Sequence, residues 1–289
     1  MNLNKFSKKL KKDINKNFPK LSLFLNSKLR IFFLDFKNER LAQKGKSISK
    51  SEKPTILLFT AHKCASTFTS KVVGQLAEAA NMIEVNFARF FIYNKKSYQL
   101  GQADFLKKAF FKKGYYYGPF RSFKNLPDIE EYRILLILRD PRDVLTSHYF
   151  STAFSHPIMN KNIYDERQKA LQQTIDEYVM TNAEKTREYY KDYCEKALPL
   201  PNTLFLKYED MISDFEPWFR KLATHINMDE NKELIENIIA NSNFKVEKEN
   251  KYSHIRSIKS GDYLDKLKPE TIEFLNEFFK DELKALGYE

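Results

Sequence analysis

Two cysteines in 289 residues, Cys64 and Cys194, are too few for a disulfide framework and cannot alone make a structural zinc site. A reducing, cytoplasmic setting is the expectation that fits them. The chain has no stretch near the roughly 18 uncharged apolar residues of a membrane span, so an integral membrane protein is not expected. It shows no internal repeat, and it contains no GxxxxGK[ST] loop, so an ordinary nucleoside-triphosphate loop is a poor match. Apolar content is not scarce. Hydrophobic residues make up 42% and aromatics 15%, which supports a full core in one large α/β domain or two small ones and excludes a wholly disordered chain.

Positive charge is concentrated at one end. The formal net charge is +11, of which residues 1–52 carry +10 and the remaining 237 residues +1. A domain that grips duplex nucleic acid carries a basic face on its folded body, so no nucleic-acid partner is expected. In the arm, Phe6, Leu10, Ile14 and Phe18 recur every four residues with lysines between them, the pattern of an amphipathic helix. Two readings stand: a helix packed on the domain or solvated, and a peripheral contact with an anionic membrane on its inner, cytoplasmic face. Charges interrupt every candidate apolar core, so a secretory signal is not expected. Residues 40–53 read as a polar linker, giving an arm and linker at 1–53 and a domain at 54–289.

The body starts with an apolar run, Thr55 to Thr60, as expected of a buried parallel strand, followed by a small-residue loop and a helical pattern. Such a strand–loop–helix places backbone N–H groups and a helix N-terminus around a phosphate. Ile134 to Leu138 is a second strand, with Pro141 suited to the first turn of the helix after it. Thr203 to Tyr208 is a third. Helices are expected over 164–198, 215–226 and 269–286. Alternation of strands and helices implies an α/β fold, a mainly parallel central sheet flanked by helices in three layers.

Between the strands lie groups suited to phosphate: Lys63, Ser66 and Thr67 in the first loop, then Arg139 and Ser147 around the start of the later helix. Arg139 is also free, on sequence alone, to pair with Asp140 or Asp143. Five ordered stretches, Lys63-Cys64-Ala65-Ser66-Thr67-Phe68, RDPRDVLTS from Arg139 to Ser147, Tyr208-Glu209-Asp210-Met211, Ser242-Asn243-Phe244 and Arg256 to Tyr263, resemble the signatures of sulfotransferases that use 3′-phosphoadenosine 5′-phosphosulfate (PAPS). The resemblance runs from Pro54 to the C-terminus. Ser257 and Ile258 depart from the family's Lys-Gly.

What the resemblance implies is a P-loop-like fold and transfer of a sulfonyl group to a hydroxyl or amine, with PAPS as donor and no metal. Lys63, Ser66 and Thr67, with the loop's backbone at Cys64 and Ala65, would hold the 5′-phosphosulfate. Arg139, Ser147 and Arg256 would hold the 3′-phosphate. Phe68, Tyr208 and Phe244 would contact adenine, with Ser242 at its edge. Lys63 would also steady the leaving oxygen. Cytosolic members carry a catalytic His in a Lys-Thr-His segment; the corresponding stretch here has Phe120 and Arg121 instead. Other members use a Glu about twenty residues past the loop lysine, and Glu84 stands 21 residues past Lys63, expected at the end of the following helix. Glu84 is therefore the expected base, with His62 and His148 as fallbacks. Residues 87–123, crowded with Phe, Tyr and Lys, are expected to line the mouth of the site for a sugar, lipid, phenol or other small acceptor. A non-catalytic nucleotide-binding protein on the same scaffold, or a Mg²⁺-dependent nucleotide kinase, are the alternatives.

Overall fold

The computed structural model describes residues 36–289 apart from 95–99, 159, 243, 245, 247, 248 and 254. Five parallel strands form one sheet in the order β2-β3-β1-β4-β5. β1 (Ile56–Thr60) and β4 (Arg133–Leu138) lie side by side at its middle, in register from Ile56 opposite Arg133 to Thr60 opposite Ile137. Every residue of β1 is buried, which is why its sequence is apolar without alternation. β5 (Thr203–Lys207) flanks β4; β3 (Tyr115–Phe120) and the short edge strand β2 (Ile83–Val85) extend the other side. Helices cover both faces, so the apolar core falls into separate layers, one around Phe59, Phe87 and Tyr117 and another around Leu58, Leu76 and Phe219.

β1 and β4 feed chain in opposite directions across the sheet: the helix Ser66–Ala79 leads from β1 toward β2, and Pro141–Phe150 from β4 toward β5. That is a topological switch point, where the loops at the carboxyl ends of neighbouring strands part and leave a crevice. The three strands expected from sequence are present within a residue or two. β2 and β3 were not expected. β2 is three residues long, and β3 carries Gly118-Pro119, a pair that reads as a turn.

Four expectations need correcting. The aromatic stretch 87–123 is mostly core: Phe87, Phe91, Phe110, Tyr115, Tyr117 and Phe120 are buried, with Phe110 and Tyr117 ring centroids 4.5 Å apart. The long helix expected over 164–198 is divided into Lys161–Leu171 and Ile175–Asp192, because Thr174 forms a capping box with Glu177 and restarts the chain. The closing helix is likewise divided, at Phe279, into Pro269–Phe278 and Lys280–Leu286. Residues 40–53 are not a loose linker. Lys37–Gln43 is a helix with Glu39 and Ala42 buried, and the stretch after it is held by the Tyr115 hydroxyl, which accepts from Ile48 N at 2.7 Å. The stripe Phe6, Leu10, Ile14 and Phe18 lies outside the described residues. Among those described, no helix is long and apolar enough to cross a membrane.

Candidate active site

The loop between β1 and the helix Ser66–Ala79 turns on two left-handed residues, Lys63 at φ 64° and Ala65 at φ 54°. Both are strained positions for residues with a Cβ. The turn leaves the backbone N–H groups of residues 65–68 without backbone acceptors among the described residues; Thr69 N, bonded to Ala65 O at 3.0 Å, is the first of the helix to find one. Free amides at a helix N-terminus are a ready site for an anion. Cys64 points inward and is fully buried, which pushes its thiol up to about 11, so only its backbone is available to a ligand.

Cations converge on this loop. Burial first, then Arg139, Arg121 and Arg256, lower the Lys63 ammonium to about 8. Arg121 leaves the end of β3 and donates to Ala61 O at 2.7 Å and to Ser66 Oγ, bracing the loop at the place where sequence reasoning looked for a histidine. Arg139, at the end of β4, is buried against the Tyr208 ring, 4.5 Å from its centroid. Its Nη2 donates to Asp143 Oδ2 at 3.1 Å and Lys259 O at 2.8 Å, while its buried Nε has no partner. Arg256 lies 4.2 Å over the Phe150 ring and is paired with Asp262 and Glu249.

Asp143 is a residue whose importance the sequence did not reveal. Fully buried one helical turn beyond Arg139, it accepts from Gly261 N and Tyr263 N at 2.9 Å each as well as from Arg139. It therefore clips the Arg256 segment onto the start of the helix Pro141–Phe150. The only sequence signal was its place four residues after an arginine. Ser147 follows one turn later, half-buried.

The aromatic groups separate into two sets. Phe68 and Phe244 meet edge to face at 4.9 Å, and Phe215 packs on both at 5.5 and 5.3 Å. Ring centroids that close leave no slot for a base between Phe68 and Phe244, so a stacked base would lie on an outer face or displace Phe244. Ser242, whose hydroxyl donates to Ile238 O at 2.7 Å, lines a cavity of about 370 Å³ beside Phe68. Tyr208 sits apart from them, buried under Arg139.

On the other side of the Ser66–Ala79 helix an open groove of about 690 Å³ runs from Ser66 and Thr67 past Gly74 and Glu84 to Arg89, with Arg121 on its wall. Glu84 is in the middle of β2, not at a helix end: the helix stops at Ala79 and the turn at Asn81 leads directly into the edge strand. Its carboxylate lies over Gly74, where an added Cβ would stand 3.2 Å from Oε2. Burial, then the Glu39 carboxylate, raise the Glu84 acid above its ordinary range. Glu39 itself accepts from Asn86 N at 2.9 Å, and Asn38 Nδ2 donates to Glu84 O at 3.2 Å, so the helix Lys37–Gln43 supports this strand. His62 and His148 lie with ring centroids 6.0 Å apart, and His148 Nδ1 is 2.7 Å from the Tyr178 hydroxyl. Burial, then Lys63 and Lys185, lower His148 to about 4; His62, open to solvent at the cleft, is lowered by the protein packed around it and then by Arg121. Both rings are neutral at pH 7. Among the described residues no group of His, Cys, Asp and Glu is placed to hold a metal.

Solved structures share this architecture. Mouse sulfotransferase SULT7A1 complexed with PAP matches at TM-score 0.56 and 14% identity, covering 86% of this chain and 90% of that one. Retinol dehydratase in complex with androsterone and inactive cofactor PAP matches at TM-score 0.55 and 15% identity, covering 86% and 85%. Retinol dehydratase with retinol and PAP matches at TM-score 0.54 and 18% identity, covering 86% of each chain. At these identities the likeness concerns the fold. No curated protein sequence matches the chain. Residues 53–287, taking in the strand loop, the convergent arginines and the groove, match the sulfotransferase domain, and the chain belongs to that family.

Proposed function

We propose that this protein transfers the sulfonyl group of PAPS to an acceptor hydroxyl, with Lys63 and Glu84 in the catalytic roles. The observation that carries the reading is the convergence of Lys63, Arg121, Arg139 and Arg256 on a loop whose amides are free, which is an electrostatic site for a multiply charged anion. The residues fit this donor: the buried Arg139 Nε lacks a partner and the neighbouring Ser147 hydroxyl is one turn past Asp143, a guanidinium and hydroxyl suited to a 3′-phosphate. Arg256 joins them by exchanging part of its hold on Glu249 and Asp262. Phe68, Phe244 and Ser242 border the base, with Tyr208 serving as the platform under Arg139.

PAPS, when bound, supplies the sulfonyl group and a phosphate leaving group. Lys63 places its ammonium where charge grows on the leaving oxygen, the electrostatic role of phosphate-binding lysines. Ser66, held by Arg121, and Thr67 fix the loop's polar edge. Glu84 takes the proton of the acceptor hydroxyl as oxygen bonds to sulfur. A carboxylate raised by burial is a better base near neutral pH than an ordinary one.

Transfer of labelled sulfonyl from PAPS tests the assignment. Glu84→Gln should keep nucleotide affinity and lower turnover by about 10²-fold or more, the worth of a general base. Normal turnover in Glu84→Gln with a dead His62→Ala or His148→Ala would move the base to a histidine.

A further inference from the structure

The groove beside the Ser66–Ala79 helix indicates what the acceptor is, and this step rests on the sulfotransferase reading above. Its wall among the described residues contains no aromatic side chain; the apolar side chains in it are Ala77, Met82 and Pro119. The rest of the wall is polar: amides at Gln75 and Asn86, carboxylates at Glu78 and Glu84, and cations at Lys71, Arg89 and Arg121. No hydrogen bond or ion pair within the described chain occupies the side chains of Gln75, Glu78 or Arg89. A flat apolar acceptor would strip water from these groups and return no hydrogen bonds, which disfavours its binding. Both signs of charge are interleaved, so no single-sign field selects a polyanion. The volume, about 690 Å³, suits a ligand of several rings.

We infer that the acceptor is a polyhydroxylated, saccharide-like molecule laid along the helix, with one hydroxyl presented to Glu84 and the rest bonded to Gln75, Glu78 and Arg89. In the reaction that hydroxyl's oxygen bonds to sulfur, the bond from sulfur to the nucleotide's phosphate oxygen breaks, and the proton goes to Glu84. Donor and acceptor thus lie on adjoining sides of one helix N-terminus.

The test uses the full chain, labelled PAPS and two acceptor panels at equal concentration: neutral mono- and oligosaccharides, and a set of phenols, sterols, long-chain alcohols and a tyrosyl peptide. Label should enter the saccharides at least about tenfold faster, and E78L with R89L should raise the acceptor KM about tenfold or more while binding of 3′,5′-adenosine diphosphate stays unchanged. Preferential labelling of the second panel, equal labelling of both, no labelling of any saccharide, or an unchanged KM would each overturn the inference. Loss of the nucleotide binding itself would instead strike the sulfotransferase reading.

Discussion

Lys63 stands among three guanidinium groups and, within the described residues, has no carboxylate partner. That arrangement is unfavourable in the free protein and becomes favourable when an anion arrives. Its lowered value, about 8, makes the consequence measurable. The ammonium is the form that binds, so affinity for a phosphate ligand is full below pH 8 and declines above it as the proton leaves. Between pH 7 and pH 9 we expect 3′,5′-adenosine diphosphate to weaken by about tenfold, with proton uptake on binding at the higher pH, as linkage requires. Titration calorimetry in buffers of different ionisation enthalpy reads both quantities. Constant affinity from pH 7 to 9 would place Lys63 outside the ligand's reach. The sequence identified Lys63 and Arg139 as cations of interest because ammonium and guanidinium groups next to strand ends suit phosphates, and Arg256 through the resemblance to the sulfotransferase signatures. It offered Asp143 only as one of two partners for Arg139 and did not identify Glu39, since a carboxylate's worth depends on which amides the fold brings to it.

At the scale of elements, the helix Ser66–Ala79 and the edge strand β2 set the distance between the donor loop and the base. Gly74 is the contact point: the helix gives up a Cβ there so that the Glu84 carboxylate can lie against it. In an ordinary helix interior glycine is worse than alanine by about 0.8–1.0 kcal/mol. Gly74→Ala should therefore leave the melting temperature unchanged or higher, because the neighbour it meets is the movable end of the Glu84 side chain. Turnover should nonetheless fall severalfold as the carboxylate is displaced, with nucleotide affinity intact. A variant that is both stable and fully active would show that the carboxylate's place over Gly74 does not matter. β2 was illegible from sequence because three residues give no periodicity, and Glu84 was consequently assigned to a helix end. The central strands were readable for the opposite reason: burial on both faces demands an unbroken apolar run, as Ile134 to Leu138 provides.

Across the whole molecule, the switch point between β1 and β4 brings together loops that are 76 residues apart in sequence, measured from Lys63 to Arg139. The first three ordered motifs made that assembly legible, because each follows a strand end and a parallel sheet gathers such ends on one edge. The groove was not legible. The segment richest in aromatics was expected at its mouth, yet its rings fill the core, and what it lends the opening is Arg89, Pro119 and Arg121 beside polar residues of the neighbouring helix and edge strand. Nothing in a list of residues tells an aromatic wall from an aromatic core when both are dense in Phe and Tyr. The helix Lys37–Gln43 belongs to the same assembly through Glu39 and Asn38, so it supports the strand that carries Glu84.

The central claim is that this crevice binds a nucleotide through a 3′-phosphate as well as a 5′-phosphate. Calorimetry of the full chain with 3′,5′-adenosine diphosphate against 5′-adenosine monophosphate, in a chelating buffer at pH 7, tests it directly. We expect the first to bind more tightly by about 10- to 150-fold, the range of about 1.5–3 kcal/mol for a hydrogen bond to a charged group. Arg139→Ala, compared at matched folded fraction because it leaves Asp143 without its cation, should remove most of that difference. Equal affinity of the wild-type chain for the two nucleotides would contradict it.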